Sequence, residues 1–190
     1  MVTFDQYTYN RPNFEEAKVR FEGLLQAFKE ADSVESQSEA ISKINEFRES
    51  FSTQGNLAYI RASIDTKDEF YQKERDYFDE VSPQLEELVT EYYIELVSSK
   101  FRNELEEKWG DQLFALAEYS IKAFSPEIIE LMQQENKLSS EYSKLVASAQ
   151  VEFDGKTLTL AQLGPYREST DRDIRKQALA TSTKFFEGNE

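Results

Sequence analysis

Carboxylates are the side chains of this chain whose numbers and spacing come closest to a chemistry. Asp and Glu number 37 against 22 Lys and Arg, for a formal net charge of −15. Glu86, Glu87, Glu91 and Glu95 fall on neighbouring turns of one helical pattern, and Glu104, Glu106 and Glu107 crowd another. Carboxylates paired in this way bind a hard cation or serve as acid and base. The same spacing describes acidic residues on a solvated face opposite an apolar stripe, and nothing in the sequence turns these glutamates inward. The solvated face is the expectation. Histidine and cysteine are absent from all 190 residues. Within this chain that excludes Ser-His-Asp and Cys-His nucleophilic sites, the H-E-x-x-H zinc helix and the Glu-x-x-His di-iron motif. The six glycines are scattered rather than gathered into a phosphate-binding loop. No catalytic, cofactor-binding or metal-ligating residue is therefore assigned.

Three aromatic positions stand apart. Tyr92-Tyr93 continues a helical stripe and reads as core packing rather than a ligand cage. Trp109, before Gly110, staples a helix end. Tyr166 follows Gly164-Pro165 in what reads as a loop, where a side chain makes exposed contacts or anchors the loop. The acidic balance, with a pI near 4.5, repels nucleic acid and anionic membrane surfaces, and no basic stripe reverses it. No segment reads as a signal peptide or a membrane span. Without cysteines the chain suits a reducing cytosol, and it reads as cytoplasmic.

Helices must position these residues. Tyr9-Asn-Arg-Pro12 is a turn, and Asn13 with Glu16 opens a first helix carrying Phe14, Ala17, Phe21, Leu24, Leu25 and Phe28. Ser36 and Glu39 form a second capping box before Ile41, Ile44, Phe47 and Phe51, with Gly55 as a stop and a short helix at Leu57, Ile60 and Ile64. Thr66 and Glu69 form a third, opening the longest pattern, which runs from Phe70 to Val97. Ser82-Pro83 predicts a break or sharp kink in it, because proline lacks the amide hydrogen. Short helices follow over Ser99–Lys108, closed by Gly110, and Gln112–Phe124. Ser125-Pro126 then starts a strong amphipathic helix with Ile128, Leu131, Met132, Leu138, Tyr142, Leu145, Val146 and Ala149.

Val151-Glu-Phe-Asp-Gly-Lys-Thr-Leu-Thr-Leu160 is a β-hairpin, since Asp154-Gly155 suits a two-residue type I′ turn with positive φ at both positions. A lone hairpin is marginal in water and must lie against something. One turn at Leu160–Leu163 is stopped by Gly164-Pro165. Ser169 or Thr170 then caps a last helix with Ile174, Ala178 and Phe185, which meets no stop signal. The chain therefore reads as all-α, mainly helical, with one β-hairpin near 151–160. Its end reads as cut rather than finished.

Several passages taken together resemble the N-terminal part of the oligoendopeptidase F family, the thimet-oligopeptidase-like zinc metallopeptidases. The strongest is Glu135-Asn-Lys-Leu-Ser-Ser-Glu-Tyr-Ser-Lys-Leu-Val-Ala-Ser-Ala-Gln-Val-Glu-Phe-Asp-Gly-Lys-Thr-Leu-Thr-Leu-Ala-Gln-Leu163. Ser169-Thr-Asp-Arg-Asp-Ile-Arg-Lys-Gln-Ala178 comes next, and Phe4–Phe14 and Ile64–Phe70 add weaker support. The resemblance implies a largely helical, two-lobed peptidase whose narrow channel admits short peptides. Its zinc is held by the histidines of H-E-x-x-H and a later glutamate, all in the family's C-terminal half, so no ligand or catalytic residue carries over to a position here. It implies that residues 1–190 form an N-terminal helical lobe, with a subdivision into 1–110 and 111–190, of an enzyme whose zinc lies elsewhere. This chain alone is expected to be inactive. Implied partners are oligopeptide substrates and the C-terminal catalytic domain of the same protein, with self-association through uncovered apolar surface. Two other readings stay open: a free-standing acidic helical interaction module without catalysis, and a carboxylate-only enzyme or cation-binding bundle.

Overall fold

The computed structural model describes residues 3–188. Eight helices occupy them: α1 Phe14–Glu30, α2 Val34–Ile64, α3 Glu69–Val97, α4 Arg102–Trp109, α5 Asp111–Ala123, α6 Ile129–Ser148, α7 Gly164–Arg167 and α8 Arg172–Glu187. Between α6 and α7 lies a hairpin of β1 Val151–Phe153 and β2 Lys156–Leu158. The expected all-α class with one hairpin holds. The chain divides into two compact units, Met1–Lys137 and Leu138–Glu190, and the division falls within α6.

In the first unit, α1, α2 and α3 pack on one another, α5 lies along α3, and α4 sits against α5 and α2. The core is aromatic, as the composition predicts. Phe21, Phe28, Tyr92 and Phe114 are fully buried, with Ile41, Ile44, Leu96 and Leu105 filling between them. Phe28 meets Tyr92 edge-on at 5.7 Å and Phe51 meets Phe78 at 5.5 Å, the offset geometry that ring quadrupoles favour. Tyr92 and Tyr93 are core, and Trp109 ties the end of α4 to α2 by donating its Nε1–H to Ser38 Oγ at 2.9 Å.

Three of the helix starts differ from the sequence expectation by a few residues. Asn13 does cap α1, accepting the Glu16 amide. The cap of α2 is Ser33, paired reciprocally with Ser36, rather than Ser36 with Glu39; Glu39 instead pairs with Lys43 at 2.7 Å. Asp68 rather than Thr66 caps α3, and Asp171 rather than Ser169 or Thr170 caps α8. Ser33 lies before the expected cap and Asp68 and Asp171 lie after theirs, so only backbone geometry decides among neighbouring candidates.

Two expected interruptions are absent. Gly55 does not end α2, which runs 31 residues through it. Instead Gly55 allows a close approach to α3: a Cβ there would stand 3.2 Å from Phe78 Cδ1, inside the normal carbon–carbon contact distance. Nor does Pro83 break α3. Proline leaves the carbonyl four residues back without its intrahelical donor, and the Asn136 amide supplies one, reaching Asp79 O at 3.2 Å. The Gln133 amide likewise donates to Glu80 O at 2.7 Å. The Pro83 ring is fully buried, so its packing stabilises the site that its backbone weakens.

In the second unit the hairpin pairs Val151 with Leu158, Glu152 with Thr157 and Phe153 with Lys156. Asp154 and Gly155 take φ of 53° and 67°, the I′ signature expected. Ala161–Leu163 forms the expected single turn, but Gly164-Pro165 starts α7 rather than stopping it, with Pro in the first turn where no amide is needed. Tyr166 therefore lies on a helix. Its ring meets Phe153 edge-on at 4.9 Å, which makes it an anchor for the hairpin. The last helix ends at Glu187, with the Gly188 amide donating to Lys184 O at 3.2 Å.

Candidate functional site

The acidic runs fall where a solvated face would put them. Glu86, Glu87, Glu91 and Glu95 are exposed or half-buried along α3, and Glu104, Glu106 and Glu107 are so on α4. Glu95 takes Lys29 at 3.2 Å, and Arg102 bridges Glu106 and Glu118 at 3.0 and 2.8 Å. Among the described residues no three His, Cys, Asp or Glu side chains come together as a metal site. With neither imidazole nor thiolate available, the donors present do not fit zinc.

The buried carboxylate is a different one, Glu74, only 3% exposed. Its position follows from the helical period: Glu74, Phe78 and Val81 form one buried stripe, so α3 carries Glu74 on its packed side. Phe14 starts α1 just after Pro12, which lays the preceding segment across α3. Tyr9 Oη donates to Glu74 Oε2 at 2.5 Å, while Arg11 Nε and Nη2 reach Oε2 and Oε1 at 2.7 and 2.6 Å. Burial pushes this carboxyl up, but the hydrogen bonds from Arg11 and Tyr9 and the Arg11 charge outweigh it, and Glu74 sits below the usual carboxylate range. Burial, with Glu74 adding to it, drives the Tyr9 hydroxyl well above its ordinary value. Each group is held in a single protonation state near neutrality. The cluster is built to hold structure, not to move a proton. Sequence inspection missed it, although a glutamate in an apolar stripe was the available signal.

The open surface of the first unit is a cleft of about 740 Å³ between α2 and α3. Phe51, Gly55, Phe78, Leu85 and Val89 form its floor, and Asn45, Ser52, Asn56, Ser82 and Asn136 bring amides and hydroxyls to its sides. Arg48 stacks over the Tyr93 ring at 5.3 Å, and Arg75 over the ring of Tyr59, a cleft residue, at 5.0 Å. These groups can hold an extended polar chain through its backbone. No nucleophile is paired with a base among the residues that line it. Elsewhere, Leu131, Leu138 and Tyr142 on α6 and Leu179 and Phe186 on α8 are exposed apolar residues.

Residues 4–124 match the peptidase M3 N-terminal domain. The chain belongs to the peptidase M3 family. Three solved structures are similar to this M3 chain along almost its whole length. PZ peptidase A, solved with an inhibitor, is 53% identical over 98% of the chain, with a TM-score of 0.94. A protein assigned as an oligoendopeptidase F is 48% identical over 99%, also at 0.94. Another so assigned, from Bacillus anthracis, is 46% identical over 100%, again at 0.94. The M3 chain spans only 33%, 33% and 35% of those three chains. No curated protein sequence matches it.

Proposed function

We propose that this chain is the N-terminal helical lobe of a zinc-dependent oligoendopeptidase that hydrolyses short peptides in the cytoplasm. In this reading it shapes the substrate channel and supplies no catalytic group. What carries the reading is membership of the peptidase M3 family together with a span of about one third of the related peptidases. The side-chain chemistry agrees with it. A chain without histidine or cysteine lacks the imidazoles of an H-E-x-x-H site, so in this reading the zinc ligands and general base belong to the catalytic part of the protein.

The lobe's own residues bind, orient and exclude. Amides and hydroxyls lining the α2–α3 cleft offer partners to a peptide backbone, and its aromatic floor takes side chains. The apolar residues left exposed on α6 and α8 provide surface on which the catalytic part packs. Without that cover the isolated lobe self-associates. The decisive experiment replaces the matching third of PZ peptidase A with these residues. The expected chimera folds, loads zinc and cleaves short peptides while sparing folded proteins. A folded, zinc-loaded chimera without peptidase activity would overturn the assignment. Turnover of short peptides by the 190 residues alone, supplied with zinc, would overturn the claim that catalysis lies elsewhere.

A further inference from the structure

The segment ahead of α1 is attached differently from the rest of the first unit. Between Thr3 and Asn13 no residue is fully buried, and only the half-buried Tyr9 packs against the core, beside Phe70 and Tyr71. The segment is held otherwise at a few polar points. Arg61 Nη2 donates to Tyr7 O at 2.5 Å, the Asn10 amide donates to Gln54 Oε1 at 2.8 Å, and Tyr77 Oη donates to Pro12 O at 2.6 Å. At the centre, three donors from Tyr9 and Arg11 converge on the one carboxylate of Glu74. The segment also bridges empty space. A hollow of about 580 Å³ lies to one side and another of about 380 Å³ to the other, and Arg11, Pro12 and Asn13 form a wall of both.

We propose that residues 3–12 form a strap that opens as a unit while α1–α3 stay folded, with Glu74 as its latch. A segment whose packing against the core rests mainly on the half-buried Tyr9 ring gains little from the cooperative core, so its release is a local event of low free energy. Release uncovers Glu74 to water, which hydrates the carboxylate and limits the cost of opening. It also removes the Arg11–Pro12 part of the wall and joins the two hollows into one trough beside Phe14, Tyr77 and Phe51.

Chymotrypsin under native conditions tests this, because cleavage after Tyr9 requires that ring to leave its site against Phe70 and Tyr71. In the unsubstituted chain we expect cleavage there at a rate that stays flat in urea below the unfolding transition, since local opening exposes little surface. The product should keep its helical circular dichroism. Glu74→Gln should raise the rate about ten- to a hundredfold, the loss expected for charge-assisted hydrogen bonds. Arg11→Met, which removes the charge and keeps an unbranched side chain beside the Tyr77 ring, should raise it to a similar degree. Cleavage after Tyr9 that rises with urea in step with cleavage inside α1–α3 would overturn the strap, because the segment would then unfold only with the core. A rate unchanged in both variants would overturn Glu74 as the latch.

Discussion

Among the described residues, Glu74 is the carboxylate that the fold buries. Its depressed pKa arises because the native state binds the ionised form better than water does. The sign of the pH effect follows directly. A carboxyl with a folded pKa below its ordinary value of 4.5 contributes stability that is fully present above that value and is lost as pH falls through the depressed one. Urea midpoints measured from pH 7 downward should therefore hold steady until near pH 4.5 and then drop. In Glu74→Gln the drop should be shallower, starting from an unfolding free energy lowered at pH 7 by about 2 kcal/mol. That figure is kept at the low end because Arg11 is 48% exposed and solvent screens its side of the pair. An equal acid slope in both proteins would remove Glu74 from the explanation. Glu91, Glu104 and Glu107, conspicuous in the sequence, should by contrast tolerate alanine within about 0.5 kcal/mol, as exposed side chains without a special role do.

At the scale of an element, α3 shows how a helix survives an internal proline. The carbonyl of Asp79 loses its usual donor to Pro83 and regains one from Asn136. Removing the amide should then matter only while the proline is present. Asn136→Ala is expected to cost about 1 kcal/mol in the parent chain and close to nothing in a Pro83→Ala background, where the backbone amide satisfies Asp79 O again. The urea midpoints of the four chains of this cycle measure that coupling, and a zero coupling would refute the compensation. Helix identity was legible in the sequence because apolar residues recur at the helical period over long stretches. Helix boundaries were less so. Ser36, Thr66 and Thr170 have the chemistry of caps but lie a few residues from Ser33, Asp68 and Asp171, where backbone geometry lets the side-chain oxygen reach the free amides. Gly55 and Pro83 read as breaks because local propensity opposes a helix at each. Packing overrode it, through close approach to Phe78 in one case and ring burial in the other.

At the scale of the whole molecule, the proposed function concerns what the chain belongs to more than what it contains. In its source cells an antibody to these residues should detect a protein several times heavier than 22.1 kDa, since the chain spans about one third of the related peptidases. A band at 22.1 kDa would leave a free-standing helical module. The sequence by itself determined the all-α class, the aromatic core and the Asp154-Gly155 hairpin. It also carried the resemblance to the oligoendopeptidase F family and the absence of histidine and cysteine from these residues. These are matters of period, composition and local backbone preference, which a linear text carries in full. Only the tertiary structure decided that Glu74 is buried under Tyr9 and Arg11, that Asn136 mends the helix at Pro83, and that α2 and α3 leave a cleft between them. Each of those joins residues far apart in the chain, so its energy depends on distances that no local pattern encodes.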